Sequence, residues 1–335
     1  MNVKLKVGFA LIAMFGLIAS ACGSDGNATA TDTEAVAEAP PADESAADES
    51  VCGGDYSTIA IVSPYYSDQP ATKEVVDAFQ ANAEAVGYDV TLVDTGGDLA
   101  AVNSEIENAV AQDADVVVLG MGDPLEFGAG LAATSAAGVP VFGLDAGAVD
   151  GVTANITSDN TFLGEVSAQE MIDAIGGEGA VIMIHFDPFE PVRLRDEAAK
   201  TLFEENGIDI IEYIQGDPAD STGFAKTTIL DLLSVYPEGE VNGIWAGWDA
   251  SALGAFQATE EAGRTEIVVT GVDGQDFAQA EVAEGGNWIA TVRQDWPGIA
   301  SAAMSTIEDC ASGAGPSDAV ITVPGQLITA ENAEG

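Results

Sequence analysis

The chain has 335 residues, with 56 Asp and Glu against 9 Lys and Arg, one histidine and three cysteines; its formal net charge is −47 and 47% of its residues are hydrophobic. That apolar content fills one large core or two medium ones, while the charge repels nucleic acid and acidic membrane surfaces at long range. With His185 as the only histidine, imidazole-paired metal sites are excluded, and a Ser-His-Asp or Cys-His centre would have to run through that one residue.

At the start of the chain, Lys4 and Lys6 precede an apolar stretch, Val7 to Ala21, that ends Ala19-Ser20-Ala21-Cys22. This layout predicts a secretory signal over residues 1–21. As a helix the stretch rises about 22 Å, short of the roughly 30 Å that a permanent span needs. The small residues before Cys22 resemble a bacterial lipoprotein cleavage box, with Ala19 where that family usually has Leu. The resemblance implies lipidation of Cys22. Residues 22–52 then read as a lipid-anchored, disordered acidic linker, because Gly23 to Ser50 holds eight acidic side chains and neither an aromatic nor a basic one. Such a segment cannot bury enough apolar surface to offset its ordering entropy. Setting Cys22 aside leaves Cys52 and Cys310 in an exported chain, and a disulfide between them is expected.

From Tyr56 onward, short apolar runs alternate with longer stretches of helical spacing. The predicted strands are Thr58-Val62, Asp89-Val93, Val116-Gly120, Val139-Leu144, Ala180-Ile184, Ile208-Ile214, Gly243-Ala246, Ile267-Thr270 and Trp288-Val292. The predicted helices between them include Ala71-Ala85, Ala101-Ala111, Thr161-Ile175, Leu194-Glu205, Gly223-Val235, Ala250-Ala262 and Ile299-Ile307. Gly87, Gly138, Gly207 and Gly263 stand where a left-handed C-cap would end a helix. Near-continuous apolar strands separated by helices predict an α/β fold with parallel sheets covered on both faces, and about 280 residues of this pattern favour two doubly wound lobes over one.

Ligands of open parallel sheets sit at the carboxyl ends of the strands. The residues just past the predicted strands include Tyr65, Tyr66, Asp145, His185, Phe186, Trp248, Asp273, Arg293 and Gln294. Neutral sugars need this mixture: aromatic faces cover the C–H patches of the ring, and Asp, Gln and Arg pair with hydroxyls.

The order of motifs from about Ser57 to Ile328 resembles the type I periplasmic sugar-binding proteins of the ribose-binding group, the solute receptors of ABC importers. The matching stretches are Thr58-Ile-Ala-Ile-Val62 leading to Gln69-Pro70, Val139-Pro-Val-Phe-Gly-Leu-Asp145, Ile156-Thr-Ser-Asp-Asn160 followed by Gly164, and Arg193-Leu-Arg195. They continue with Trp245-Ala-Gly-Trp-Asp249 before Ala252-Leu-Gly-Ala255, then Thr270-Gly-Val-Asp-Gly274 and Ala290-Thr-Val-Arg-Gln294. The resemblance implies two lobes joined by a three-crossover hinge: residues 53–158 and 295–318 in lobe one, 159–294 and 319–330 in lobe two, with crossings near Ser158, Gln294 and Asp318. Cys52 and Cys310 then share a lobe. It implies further that a monomer encloses a small neutral sugar or polyol between the lobes, and that an ABC permease reads the closed state.

By the same resemblance Asp145, Arg195, Asp273 and Gln294 contact the sugar. Where the ribose group has two aromatics after the position of Gln69-Pro70, this chain has Ala71-Thr72, and Tyr65 and Tyr66 are the expected replacement stacking surface. Ala146 stands where an arginine is usual, and Trp248 where the group has asparagine. These departures make the pocket more apolar, so another pentose, a hexose, a cyclitol or a less polar molecule suits it at least as well as ribose. The predicted location is extracytoplasmic, with membrane contact only through the lipid anchor. No enzymatic activity, cofactor, metal or nucleic-acid partner is expected; no GxxxxGK[ST] loop or calcium loop is present. The rival readings are a receptor whose closed form is read by a chemoreceptor or sensor kinase, and a secreted carbohydrate-active enzyme, for which abundant carboxylates are no signal. A cation such as a polyamine is a further candidate ligand.

Overall fold

The computed structural model describes residues 51–333; the expected signal, Cys22 and nearly all of the linker lie outside the described residues. The strands are β1 (Thr58–Ser63), β2 (Asp89–Asp94), β3 (Val116–Gly120), β4 (Val141–Leu144), β5 (Ala154–Ser158), β6 (Ala180–His185), β7 (Asp209–Gln215), β8 (Gly243–Ala246), β9 (Val268–Asp273), β10 (Trp288–Arg293), β11 (Val320–Val323) and β12 (Gln326–Thr329). The helices are α1 (Pro70–Val86), α2 (Leu99–Ala111), α3 (Gly128–Ala137), α4 (Asn160–Ala174), α5 (Glu190–Glu205), α6 (Ser221–Leu233), α7 (Asp249–Ala262), α8 (Asp276–Glu284) and α9 (Trp296–Ala311).

Two six-stranded sheets result, in the orders β11-β5-β4-β3-β1-β2 and β12-β10-β9-β8-β6-β7. Every pairing is parallel except that of β12 with β10. Both faces of each sheet are covered, which is why strands such as β3 are buried along their whole length. In lobe one, Val102 and Ile106 of α2 and Leu131 of α3 pack on Val117, Leu119 and Val141. In lobe two, Met171 of α4 and Phe203 of α5 pack on Val181, Met183 and Trp245. Left-handed glycines at 87, 138 and 263 cap α1, α3 and α7, a conformation in which a Cβ is strained.

The chain crosses between sheets at three places. It leaves β5 for α4 through Ser158-Asp159, and leaves β10 through Gln294-Asp295 for α9, which packs on α1, β4 and β5. Asp159 and Asp295 also cap the helices that follow, accepting from Phe162 N at 3.0 Å and Gly298 N at 2.9 Å. Each cap is worth about 1 kcal/mol. The third crossing corrects the sequence reading. It lies at Pro324-Gly325 and not near Asp318, because Val320–Val323 pairs with β5 as an edge strand of the first sheet before β12 joins the second. A disulfide joins Cys52 to Cys310 on α9, in the first lobe.

Candidate functional site

The carboxyl ends of both sheets face one cavity. Lobe one supplies Tyr65 and Gln69 after β1, Met121 after β3 and Asp145 after β4; lobe two supplies Phe186 after β6, Pro218 beyond β7, Trp248 after β8, Asp273 at the end of β9, and Phe189, Val192 and Arg195 from the start of α5. Sheet topology therefore brings residues far apart in sequence to one point between the lobes.

Arg195 is the centre of the arrangement and is almost fully buried. Its Nε donates to Asn160 Oδ1 at 2.6 Å, Nη1 donates to the Gly247 carbonyl at 3.0 Å and to Asp273 Oδ1 at 3.2 Å, and Nη2 reaches Asp145 Oδ2 at 3.5 Å. The last contact joins the lobes. Gly164 makes the position of Arg195 possible, since a Cβ there would run into the Arg195 carbonyl where α4 and α5 cross. On the other side Asp145 accepts from Thr157 Oγ1, which in turn accepts from Asn160 Nδ2 at 3.0 Å.

Burial pushes the Asp145 carboxyl above its ordinary value, with Arg195 and Thr157 pulling the other way. Burial also raises Asp273, against the pull of Arg195 and the Gln294 amide. Behind it, Asp249 accepts from Gln275 N at 2.9 Å and Thr291 Oγ1 at 2.7 Å, and burial together with the charge of Asp273 raises it well above the usual carboxylate range. One guanidinium thus faces two buried carboxyl groups, with the carboxyl of Asp249 behind one of them. Burial favours the protonated forms of these carboxyl groups, whereas hydroxyl donors from a ligand would favour the ionised ones.

Backbone strain is concentrated here. Among the described residues four non-glycine ones have positive φ; Met121 (63°), Asp145 (50°) and Asp273 (126°) line the cavity, and Asp113 lies elsewhere. Such conformations cost about 1–3 kcal/mol each and persist where the surroundings over-determine them.

Further bonds cross the cleft. Gln69 Nε2 donates to Ser221 Oγ at 3.0 Å and to the Pro218 carbonyl, Arg193 Nη1 donates to Asp123 Oδ2 at 2.6 Å, and Gln275 Nε2 donates to Glu74 Oε2 at 3.2 Å. The lobes are in a closed arrangement.

Among the residues singled out from sequence, Tyr65, Gln69, Asp145, Phe186, Arg195, Trp248 and Asp273 line the cavity. Tyr66 does not, and that expectation is corrected. The turn after β1 sends its ring onto α1, where its hydroxyl donates to Asp77 Oδ1 at 2.7 Å and Lys73 Nζ donates to it at 3.0 Å. Gln294 is corrected in role, because it stands at the second crossing and donates to Asp273 Oδ1 at 3.0 Å without lining the cavity. His185 is likewise outside it, stacked on Tyr213 with its Nδ1 3.0 Å from Asp187 Oδ1. Sequence reasoning missed Phe189, Val192 and the Asn160–Thr157 support. Phe189 carried no local signal, whereas Asn160 belonged to a matched motif whose role was not drawn. Among the described residues no group of three or more His, Cys, Asp or Glu is placed to hold a metal ion.

Comparisons with known proteins point the same way. A family profile described as the periplasmic binding protein domain matches residues 59–315. The D-apiose import binding protein of Actinobacillus succinogenes is 27% identical over 245 residues, covering 72% of this chain and 77% of the relative. Among solved structures, an ABC sugar transporter subunit from Rhodobacter sphaeroides superposes with a TM-score of 0.78 at 28% identity, over 82% of this chain and 99% of that one. An ABC transporter solute binding protein from Mycobacterium smegmatis with bound glycerol gives 0.76 at 27% identity, over 83% and 96%.

Proposed function

The chain belongs to the periplasmic binding protein family, as the substrate-binding component of a sugar importer, and from that premise we propose that it encloses one neutral monosaccharide or related polyol at the Asp145–Arg195–Asp273 cluster and releases it unchanged. The observation that carries this reading is the buried contact of Arg195 with both Asp273 of its own lobe and Asp145 of the other. A ligand hydroxyl placed there touches both lobes at once. Its binding energy goes into closure, and it shifts the open–closed equilibrium only by its differential affinity for the two states.

Charge supports a neutral cargo. The chain carries −47, so its summed field disfavours anions, and the single guanidinium of the cavity is already matched by carboxyl groups. The relatives add weight: one is an apiose import protein, and one solved structure holds glycerol. The family is extracytoplasmic, and among the described residues no helix is long and apolar enough to cross a membrane. Attachment to the outer face of the cell membrane through a lipid on Cys22, and reading of the closed lobes by an ABC permease, complete the proposal. The first rests on the small residues before Cys22 and the acidic stretch after it, the second on the family.

The test is a thermal-shift screen against neutral sugars, polyols, amines and organic acids, since a ligand bound only by the folded state raises the midpoint by mass action. A shift with neutral polyhydroxyl compounds alone is expected. Asp145→Asn should keep the fold by circular dichroism and weaken binding at least about tenfold, the scale of one hydrogen bond to a charged group. A shift confined to amines or acids, or unchanged affinity in Asp145→Asn, overturns the reading.

A further inference from the structure

The charged hydrogen-bonding groups of the cavity are gathered on one wall. Asp145, Arg195 and Asp273 are bonded to one another and so stand together. Apart from the Tyr65 hydroxyl, the other polar side chains at the cavity spend their donors elsewhere. The Gln69 amide donates to Ser221 Oγ and the Pro218 carbonyl, the Trp248 indole N–H donates to the same Ser221 Oγ at 3.0 Å, and Thr72 Oγ1 lies against Met121 Sδ at 2.9 Å. The remaining walls are carbon and sulfur: Met121, Val192, and the paired rings of Phe186 with Trp248 and Phe189 with Tyr65, meeting edge-on at 6.3 and 6.4 Å between centroids. The Tyr65 hydroxyl is the remaining donor: burial, and then the charge of Asp123, push its pKa up to about 12, so it keeps its proton.

A ligand hydroxylated at both ends would satisfy its groups at the Arg195 wall and leave those at the other end buried against carbon, where an unmade hydrogen bond is costly. We propose that the cargo is a two-ended molecule: a sugar or polyol with adjacent hydroxyls at one end and a deoxy or alkyl-substituted terminal carbon at the other. The hydroxyls meet Asp145, Arg195 and Asp273; the apolar end sits among Met121, Phe186, Phe189, Val192 and the Trp248 ring. This rests on the sugar-binding reading above and narrows it.

The experiment is calorimetric titration of the full chain with matched pairs that differ in one terminal hydroxyl: L-fucose against L-galactose, L-rhamnose against L-mannose, and 5-deoxy-D-ribose against D-ribose. In every pair with measurable binding, the deoxy member is expected to bind roughly ten- to a hundredfold tighter, the range over which an apolar pocket rejects an added hydroxyl. Equal or tighter binding of the parent in any pair overturns the inference while leaving the sugar-binding reading intact. Absence of binding by every member, with a response to some non-saccharide, overturns both. Val192→Thr, an isosteric change that puts a hydroxyl in the apolar wall, is expected to narrow the ratio by restoring a partner for the terminal hydroxyl. A ratio that stays as it was contradicts the assignment of that wall.

Discussion

Arg195, Asp145 and Asp273 set the behaviour of the site, and their protonation gives a pH dependence with a definite sign. Burial raises the Asp273 carboxyl from 3.8 to about 6, and Asp145 and Asp249 move in the same direction. A carboxyl that holds its proton more tightly when folded favours the folded state at low pH, and that contribution is lost as pH rises from the unfolded value through the folded one. The thermal midpoint of the ligand-free protein is therefore expected to fall between pH 4 and about 6, and Asp273→Asn should flatten that slope in a calorimetric pH series. An Asp273→Asn variant with the same slope as the parent would remove Asp273 as its source. Asp145 and Asp273 were legible in sequence because each closes a strand within a recognisable motif, and Arg195, which lies on α5, was legible only through the resemblance of Arg193-Leu-Arg195. The direction of Tyr66 was not: two adjacent tyrosines in one turn look alike on paper, and only the path of the loop over α1 puts one in the cavity and the other beside Lys73 and Asp77.

At the level of elements, the strand–helix alternation was readable wherever apolar runs were unbroken, and failed where polar side chains had been recruited to the site. β5 reads Ala-Asn-Ile-Thr-Ser and was not expected as a strand, yet all of it is buried. Its Asn155 Oδ1 accepts from Ala146 N at 3.0 Å and its Thr157 bonds Asp145, so the polar positions that hide the strand hold the binding turn in place. The third crossing was misplaced for a related reason, since the four-residue β11 at a sheet edge has only partial burial to mark it. Another element-scale feature is the bond from Arg193 on α5 to Asp123, at the start of the turn after β3, which spans the cleft without either residue lining the cavity. Asp123→Asn is expected to weaken ligand binding about fivefold, mostly by faster dissociation in stopped-flow traces, because a charge-assisted bond made only in the closed state is lost. Unchanged dissociation would show that this contact does not help hold the lobes closed.

For the whole molecule, the covalent tie between Cys52, just before β1, and Cys310 near the end of α9 closes a separation of 258 residues within lobe one. Its reduction is expected to lower stability by about 2–5 kcal/mol, read as a drop in thermal midpoint with and without reductant, and a midpoint indifferent to reductant would contradict that role. Two lobes of similar design were foreseeable from length and periodicity; the register of their meeting was not, because Gln69 with Ser221 and Glu74 with Gln275 are matched only by the folded hinge. Closure around a guest is the central step in the action of the whole molecule. Small-angle scattering of the protein, with and without a saturating ligand from the thermal-shift screen, tests this most directly. A smaller radius of gyration in the bound sample, absent when Asp145→Asn is given the same ligand concentration, is the expected result; tight binding with no contraction would contradict it.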